Sequence, residues 1–136
     1  MNINSTINYC LGLSYYDLEN FAGQNYKKVH AHIASKHGGD KANTLLIGSI
    51  FTCIATDGKL SEGEWKFIAS FIGGYTYDEA FKVASEFYCD EAEKTTRDLI
   101  DFLPSDVAEA LVSVCIAVLA VDGRIEGPEV AFLRSL

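Results

Sequence analysis

The feature that most limits the fold of this chain is an internal repeat. Ile50–Phe71 (IFTCIATDGKLSEGEWKFIASF) aligns without gaps on Cys115–Leu136 (CIAVLAVDGRIEGPEVAFLRSL), at an offset of 65 residues. Ala55/Ala120, Asp57/Asp122, Gly58/Gly123, Glu64/Glu129, Phe67/Phe132 and Ser70/Ser135 are identical, and Lys59/Arg124 and Leu60/Ile125 are chemically matched. Each copy reads as an apolar helix, an Asp-Gly-basic-aliphatic turn, and the acidic start of a second helix. Two such hairpins are expected to pack about a pseudo-two-fold axis, each supplying half of one core.

The rest of the chain is punctuated for helices. Only two prolines occur, Pro104 and Pro128, and no stretch alternates apolar and polar residues as a half-buried strand would. The spacing predicts helices over Thr6–Phe21 (Ile7, Leu11, Leu18 and Phe21 on one face, ended by Gly23) and Gln24–Lys36 (Tyr26, Val29, Ile33, stopped by Gly38-Gly39). Asp40 is the expected cap of a strongly apolar helix over Asn43–Thr56, which Asp57-Gly58 ends. Three capping boxes follow: Ser61…Glu64, Thr76…Glu79 and Asp90…Glu93. They open helices through Ile72, Tyr88 and Leu103. Ser105 or Asp106 is expected to cap the apolar helix to Val121, and Glu126–Leu136 forms a last short helix with Pro128 in its first turn. The expectation is an all-α, single-domain bundle of about seven to eight short helices over residues 1–136, with sequential helices roughly antiparallel.

Composition narrows the function. The net charge of −8 opposes nucleic-acid binding, which depends on Lys and Arg neutralising phosphates, and adsorption to anionic lipid. It suits a cation or a basic protein partner. Cys10, Cys53, Cys89 and Cys115 form no C-x-x-C pair. Cys53 and Cys115 lie in apolar runs and read as small buried hydrophobes. A reduced, cytoplasmic setting fits best, although the even count leaves disulfides open. Met1–Asn8 has neither the basic start nor the apolar stretch of a signal peptide. The longest apolar run, Ala110–Val121, falls well short of the ~20 residues of a membrane span.

The pattern Ala-x-Asp-Gly-basic-aliphatic-x-x-x-Glu, preceded by an apolar helix and repeated once, resembles the TerB-like family. That family includes tellurite-resistance proteins and the N-terminal membrane-proximal domain of a DnaJ-type cochaperone. The resemblance covers Asn43–Leu136 and leaves Met1–Lys41 unmatched; the last helix is shorter than the family leads one to expect. It implies an all-α fold, divalent-cation binding by the motif carboxylates, and a role as a stress-linked binding or scaffolding module. A peripheral membrane complex is compatible with it.

The motif itself has a clear physical reading. Asp57 and Glu64 are seven residues apart, as are Asp122 and Glu129. The second half of an EF-hand loop has the same spacing, with an aliphatic residue (here Leu60, Ile125) between. A complete EF-hand is excluded, because its first and third positions would be Cys53 and Ala55 in one copy and Val118 and Ala120 in the other. One copy offers too few oxygens for Ca2+, whereas two copies together offer four carboxylates. Asp57, Glu64, Asp122 and Glu129 are thus the candidate ligands for Ca2+, Mg2+ or Mn2+. A plainer reading competes with this one. Asp-Gly is a common helix stop, Glu64 is accounted for by capping Ser61, Glu129 favours the positive end of its own helix, and Asp57 and Asp122 can pair with Lys59 and Arg124 on the surface.

Other constellations carry less. His30, His32 and His37 lack the i,i+4 spacing of a helical metal pair. No motif flanks a Cys/His nucleophile, and no phosphate-cradling glycine loop occurs. The acidic run Glu86, Asp90, Glu91 and Glu93 reads as helix-end solvation. Phe51, Trp65, Phe67, Phe71, Phe81, Phe87, Phe102 and Phe132 read as core, and Tyr9, Tyr15, Tyr16, Tyr26, Tyr75, Tyr77 and Tyr88 as a possible partner-facing set. The leading expectation is a non-catalytic module that binds a cation or a protein. The alternatives are a purely structural interaction domain and, less well supported, a carboxylate-metal hydrolase.

Overall fold

A computed structural model describes residues 2–55, 62–70, 78–79, 90–121, 131 and 133, apart from the side chains of 40, 41, 43, 44, 54, 55, 90–93 and 95. Among the described residues all regular structure is helical: α1 (Ile3–Leu11), α2 (Tyr15–His37), α3 (Gly39–Ala55), α4 (Glu62–Ala69), α5 (Asp90–Phe102) and α6 (Ser105–Ala120). The expected helices over Thr76–Tyr88 and Glu126–Leu136 lie mainly outside the described residues, with helical backbone at 78–79, 131 and 133.

Local chemistry explains the breaks, and it corrects two of the expected boundaries. The expected break at Gly23 falls instead at Gly12–Ser14. The Gly12 N–H turns back onto the carbonyls of Asn8 and Tyr9, at 3.2 Å each, which closes α1. The Ser14 hydroxyl then accepts from the Asp17 N–H at 3.2 Å and starts α2. Gly23 is carried inside α2, because packing of the Leu18, Ala22, Tyr26, Val29 and Ile33 face outweighs its cost of about 1 kcal/mol relative to alanine. Gly38, at φ +90°, is the expected stop; its N–H reaches the Ala34 carbonyl at 2.9 Å. Asp40 is not the cap of α3. That helix opens at Gly39, and Ala42 N–H donates to the Gly38 carbonyl at 3.1 Å.

The cap of α6 differs in the same way. Pro104 occupies the capping position and its carbonyl accepts from Ala108 N–H at 2.8 Å, so Ser105 and Asp106 fall inside the first turn. The Asp106 carboxylate meets Lys28 Nζ at 3.2 Å.

The core is organised around α6. Val107 and every residue from Ala110 to Ala120 are buried, which is what a helix apolar on all sides requires. It runs against α1, α2, α3, α4 and α5, with its broadest contact on α2. The segment outside the repeat is therefore joined to the same core. Two ring contacts reinforce this: Tyr9 on Phe21, 5.4 Å between centroids, links α1 to α2, and Tyr15 on Phe67, 5.8 Å, links α2 to α4. Buried hydroxyls in α3 and α6 satisfy themselves along their own helix, Ser49 on the Leu45 carbonyl (2.9 Å), Thr52 on Gly48 (2.7 Å) and Ser113 on Glu109 (2.8 Å).

Candidate functional site

Of the four candidate ligands, the structure describes Glu64. Asp57, Asp122 and Glu129 lie outside the described residues, as do Ser61 and the two Asp-Gly turns. What flanks the turns is described. α3 ends at Ala55 and α6 at Ala120, each just before its Asp-Gly pair. Glu64 is the third residue of α4, the position a capping box assigns to it, and it is buried at 7% exposure. A carboxylate so withdrawn from water is tolerated where hydrogen-bond donors or positive charge face it. Both a capped helix N-terminus and a cation meet that condition.

The remaining donors are dispersed. Among the described residues, no group of three or more His, Cys, Asp and Glu side chains is placed to hold a metal ion. His30 stacks on Tyr26 with 6.0 Å between ring centroids, and His37 closes the last turn of α2 near its negative end. Cys10, Cys53 and Cys115 are buried thiols, not disulfides. Burial pushes the Cys10 thiol up to about 11, away from the thiolate a nucleophile needs. Cys89 lies outside the described residues.

The surface holds features that pattern reading placed wrongly or passed over. Phe102, expected in the core, is 89% exposed. The buried face of α5 is set by Thr96 and Ile100, and residue 102 lies two positions on, about 200° around the helix. That phase was the available signal, and the apolar character of the ring masked it. Tyr26 is buried on the face it was expected to share with Val29 and Ile33, not in the partner-facing set, whereas Tyr9, Tyr15 and Tyr16 are exposed around the α1–α2 corner. Phe51 and Phe67 are fully buried, and Trp65 is half-buried against the core. Phe71, Phe81, Phe87 and Phe132, with Tyr75, Tyr77 and Tyr88, lie outside the described residues.

Charge is also sorted in a way that the net value hides. Residues 24–37 of α2 carry Lys27, Lys28, His30, His32, Lys36 and His37 and no acid, whereas 98–109 carry Asp98, Asp101, Asp106 and Glu109 and no base. The Lys28–Asp106 pair stitches these two stretches together, and the lysine holds the Asp106 carboxyl below the usual range. Among the described residues no helix is long and apolar enough to cross a membrane. No family model matches this chain, and no match was found among curated proteins or solved structures.

Proposed function

We propose that this chain is a non-catalytic TerB-like module of the tellurite-resistance and stress-associated kind. It acts in the cytoplasm and holds one divalent cation, Ca2+, Mg2+ or Mn2+, through Asp57, Glu64, Asp122 and Glu129. The observation that carries the reading is Glu64, a motif carboxylate buried in the first turn of α4. Position-by-position burial across the repeat supports it. Ile50, Phe51, Thr52 and Cys53 are buried, as are Cys115, Ile116, Ala117 and Val118 opposite them in the alignment, and so are Ile68 and Leu133.

Two hairpins related in this way would bring their turns together, and four carboxylates make a site for a hard cation where two would not. Calorimetric titration with each metal tests this. Binding heat that disappears in an Asp57→Ala, Asp122→Ala double variant supports the site. Absence of heat at millimolar metal, or heat indifferent to that variant, removes it. A bound metal must also raise the melting temperature, by the equivalent of about 2.7 kcal/mol at a hundredfold excess over Kd.

A second reading, a purely structural protein-interaction domain, draws on the exposed Tyr9, Tyr15 and Tyr16. Aromatic side chains of this type are common anchors at interfaces. It takes over if no metal binds.

A further inference from the structure

α4 is the shortest described helix, with 8 residues, and it carries Glu64. Isolated helices below about 12–15 residues are marginal in water, so neighbouring contacts must hold this one. It packs chiefly on α6. A further hold comes from outside the repeat, where Tyr15 meets Phe67 edge-on, with 5.8 Å between ring centroids and 84° between planes. Tyr15 is the first residue of α2, directly after the Ser14 cap, whose hydroxyl accepts from Asp17 N–H at 3.2 Å and whose carbonyl accepts from Leu18 N–H at 2.9 Å. Phe67 is fully buried, and its carbonyl closes the end of α4 by accepting from both the N–H (3.1 Å) and the hydroxyl (2.6 Å) of Ser70. Glu64 stands three residues before Phe67, so the two share one face of α4 about a turn apart, and both are buried.

We infer that Tyr15 is a positioning residue for the cation site: its ring, braced by the cap of α2, fixes α4 through Phe67 and so sets where the Glu64 carboxylate stands. The inference rests on the reading of Glu64 as a cation ligand. It gives the segment before the repeat a part in the site, since residue 15 lies outside both copies. Oxygen ligands must stand about 2.3–2.6 Å from Ca2+ and about 2.0–2.1 Å from Mg2+, so a small shift of a short helix is felt as lost affinity. The ring needs no contact with the ion; it acts through the place of α4. An edge-to-face pair contributes modestly beyond its buried area, which sets the expected effect at about three- to tenfold in Kd.

Calorimetric titration of the full chain with Ca2+, Mg2+ and Mn2+ tests the assignment. Tyr15→Ala should weaken the Kd of the wild type by about three- to tenfold, and Tyr15→Phe, which keeps the ring edge, should stay within about twofold. Tyr9→Ala is the matched control, because Tyr9 makes a similar ring contact, 5.4 Å from Phe21, within the α1–α2 corner and away from α4; its Kd should not change. Trp65, the single tryptophan and the neighbour of Glu64, gives a second readout. In metal-free Tyr15→Ala its emission should move to longer wavelength, and saturation with metal should restore it, because a ligand favours the arrangement it binds. If alanine unfolds the chain by circular dichroism, Tyr15→Leu, with apolar bulk and no aromatic edge, takes its place with the same expectation. A wild type that binds no metal removes both the site and this role. Metal binding that Asp57→Ala with Asp122→Ala abolishes but the Tyr15 variants leave intact overturns the role alone. So does an equal loss in Tyr9→Ala, which would reduce the effect to general destabilisation, or a failure of Tyr15→Phe to rescue.

Discussion

Helices α2 and α6 make the broadest contact in the described structure, and they are built on opposite plans. α6 has no outward face over Ala110–Ala120. α2 is half as long again and buries one narrow stripe, Leu18, Ala22, Tyr26, Val29 and Ile33. The rest of its surface carries the chain's three histidines and three of its lysines. A helix buried on every side serves packing and tolerates little change, whereas an amphipathic helix holds the core with one side and presents chemistry with the others. The difference makes α6 the sensitive packing element and α2 the tolerant one, and the experiments on these two helices can break or sharpen that division.

The largest effect is expected from Leu111→Ala, at a fully buried position of α6. Loss of the side chain and the cavity left behind should cost about 2–5 kcal/mol, measured by urea unfolding. Lys27→Ala on the outer side of α2 should stay within about 0.5 kcal/mol. Comparable losses at both sites would refute the division.

Alkaline pH gives the next effect. The folded Cys10 thiol, raised by burial to about 11 from 9.0, keeps its proton where the unfolded thiol has lost it. Its contribution is thus complete below the unfolded pKa and is lost as pH rises from about 9 to about 11. At pH 10 the loss should be roughly 1–2 kcal/mol. The Cys10→Ala variant should lose correspondingly less between pH 7 and pH 10 in thermal melts. Tyr26, raised by burial as well, is present in both proteins and cancels.

The smallest effects come from the two glycines of α2 and its cap, and they should have opposite signs. Gly38 at φ +90° has open space around an added methyl but a backbone that disfavours one, so Gly38→Ala should destabilise by about 1 kcal/mol. Gly23 is helical, with nothing within 4 Å of an added Cβ. Gly23→Ala should therefore stabilise by about 0.5–1 kcal/mol. A destabilising Gly23→Ala would mean that this part of α2 needs the glycine for close approach by something else.

Much of the fold was readable before any coordinates. The all-helical class followed from capping signals and 3.6-residue periodicity. The helix ends at Gly38 and before Asp122-Gly123 came from turn chemistry, whereas the expected stop at Asp57-Gly58 lies outside the described residues. The break at Gly12–Ser14 was misplaced to Gly23 because a lone glycine signals a stop only weakly, and tertiary packing overrides it. The candidate site was legible as a motif only, with Glu64 alone among the described residues. Whether loop acids from distant positions converge is a matter of how helices cross, which local spacing does not encode.

By itself, then, the sequence determined the all-helical class and which face of α2 is apolar, because both depend on neighbours within a turn or two. The burial of α6 was also legible, because its run Ala110–Val121 is apolar on every side; only the tertiary structure decided that Phe102 faces water and that Lys28 meets Asp106. Those outcomes depend on how helices distant in the chain pack together. A residue's character fixes what it prefers to touch, and the packing of the whole chain fixes what it does touch.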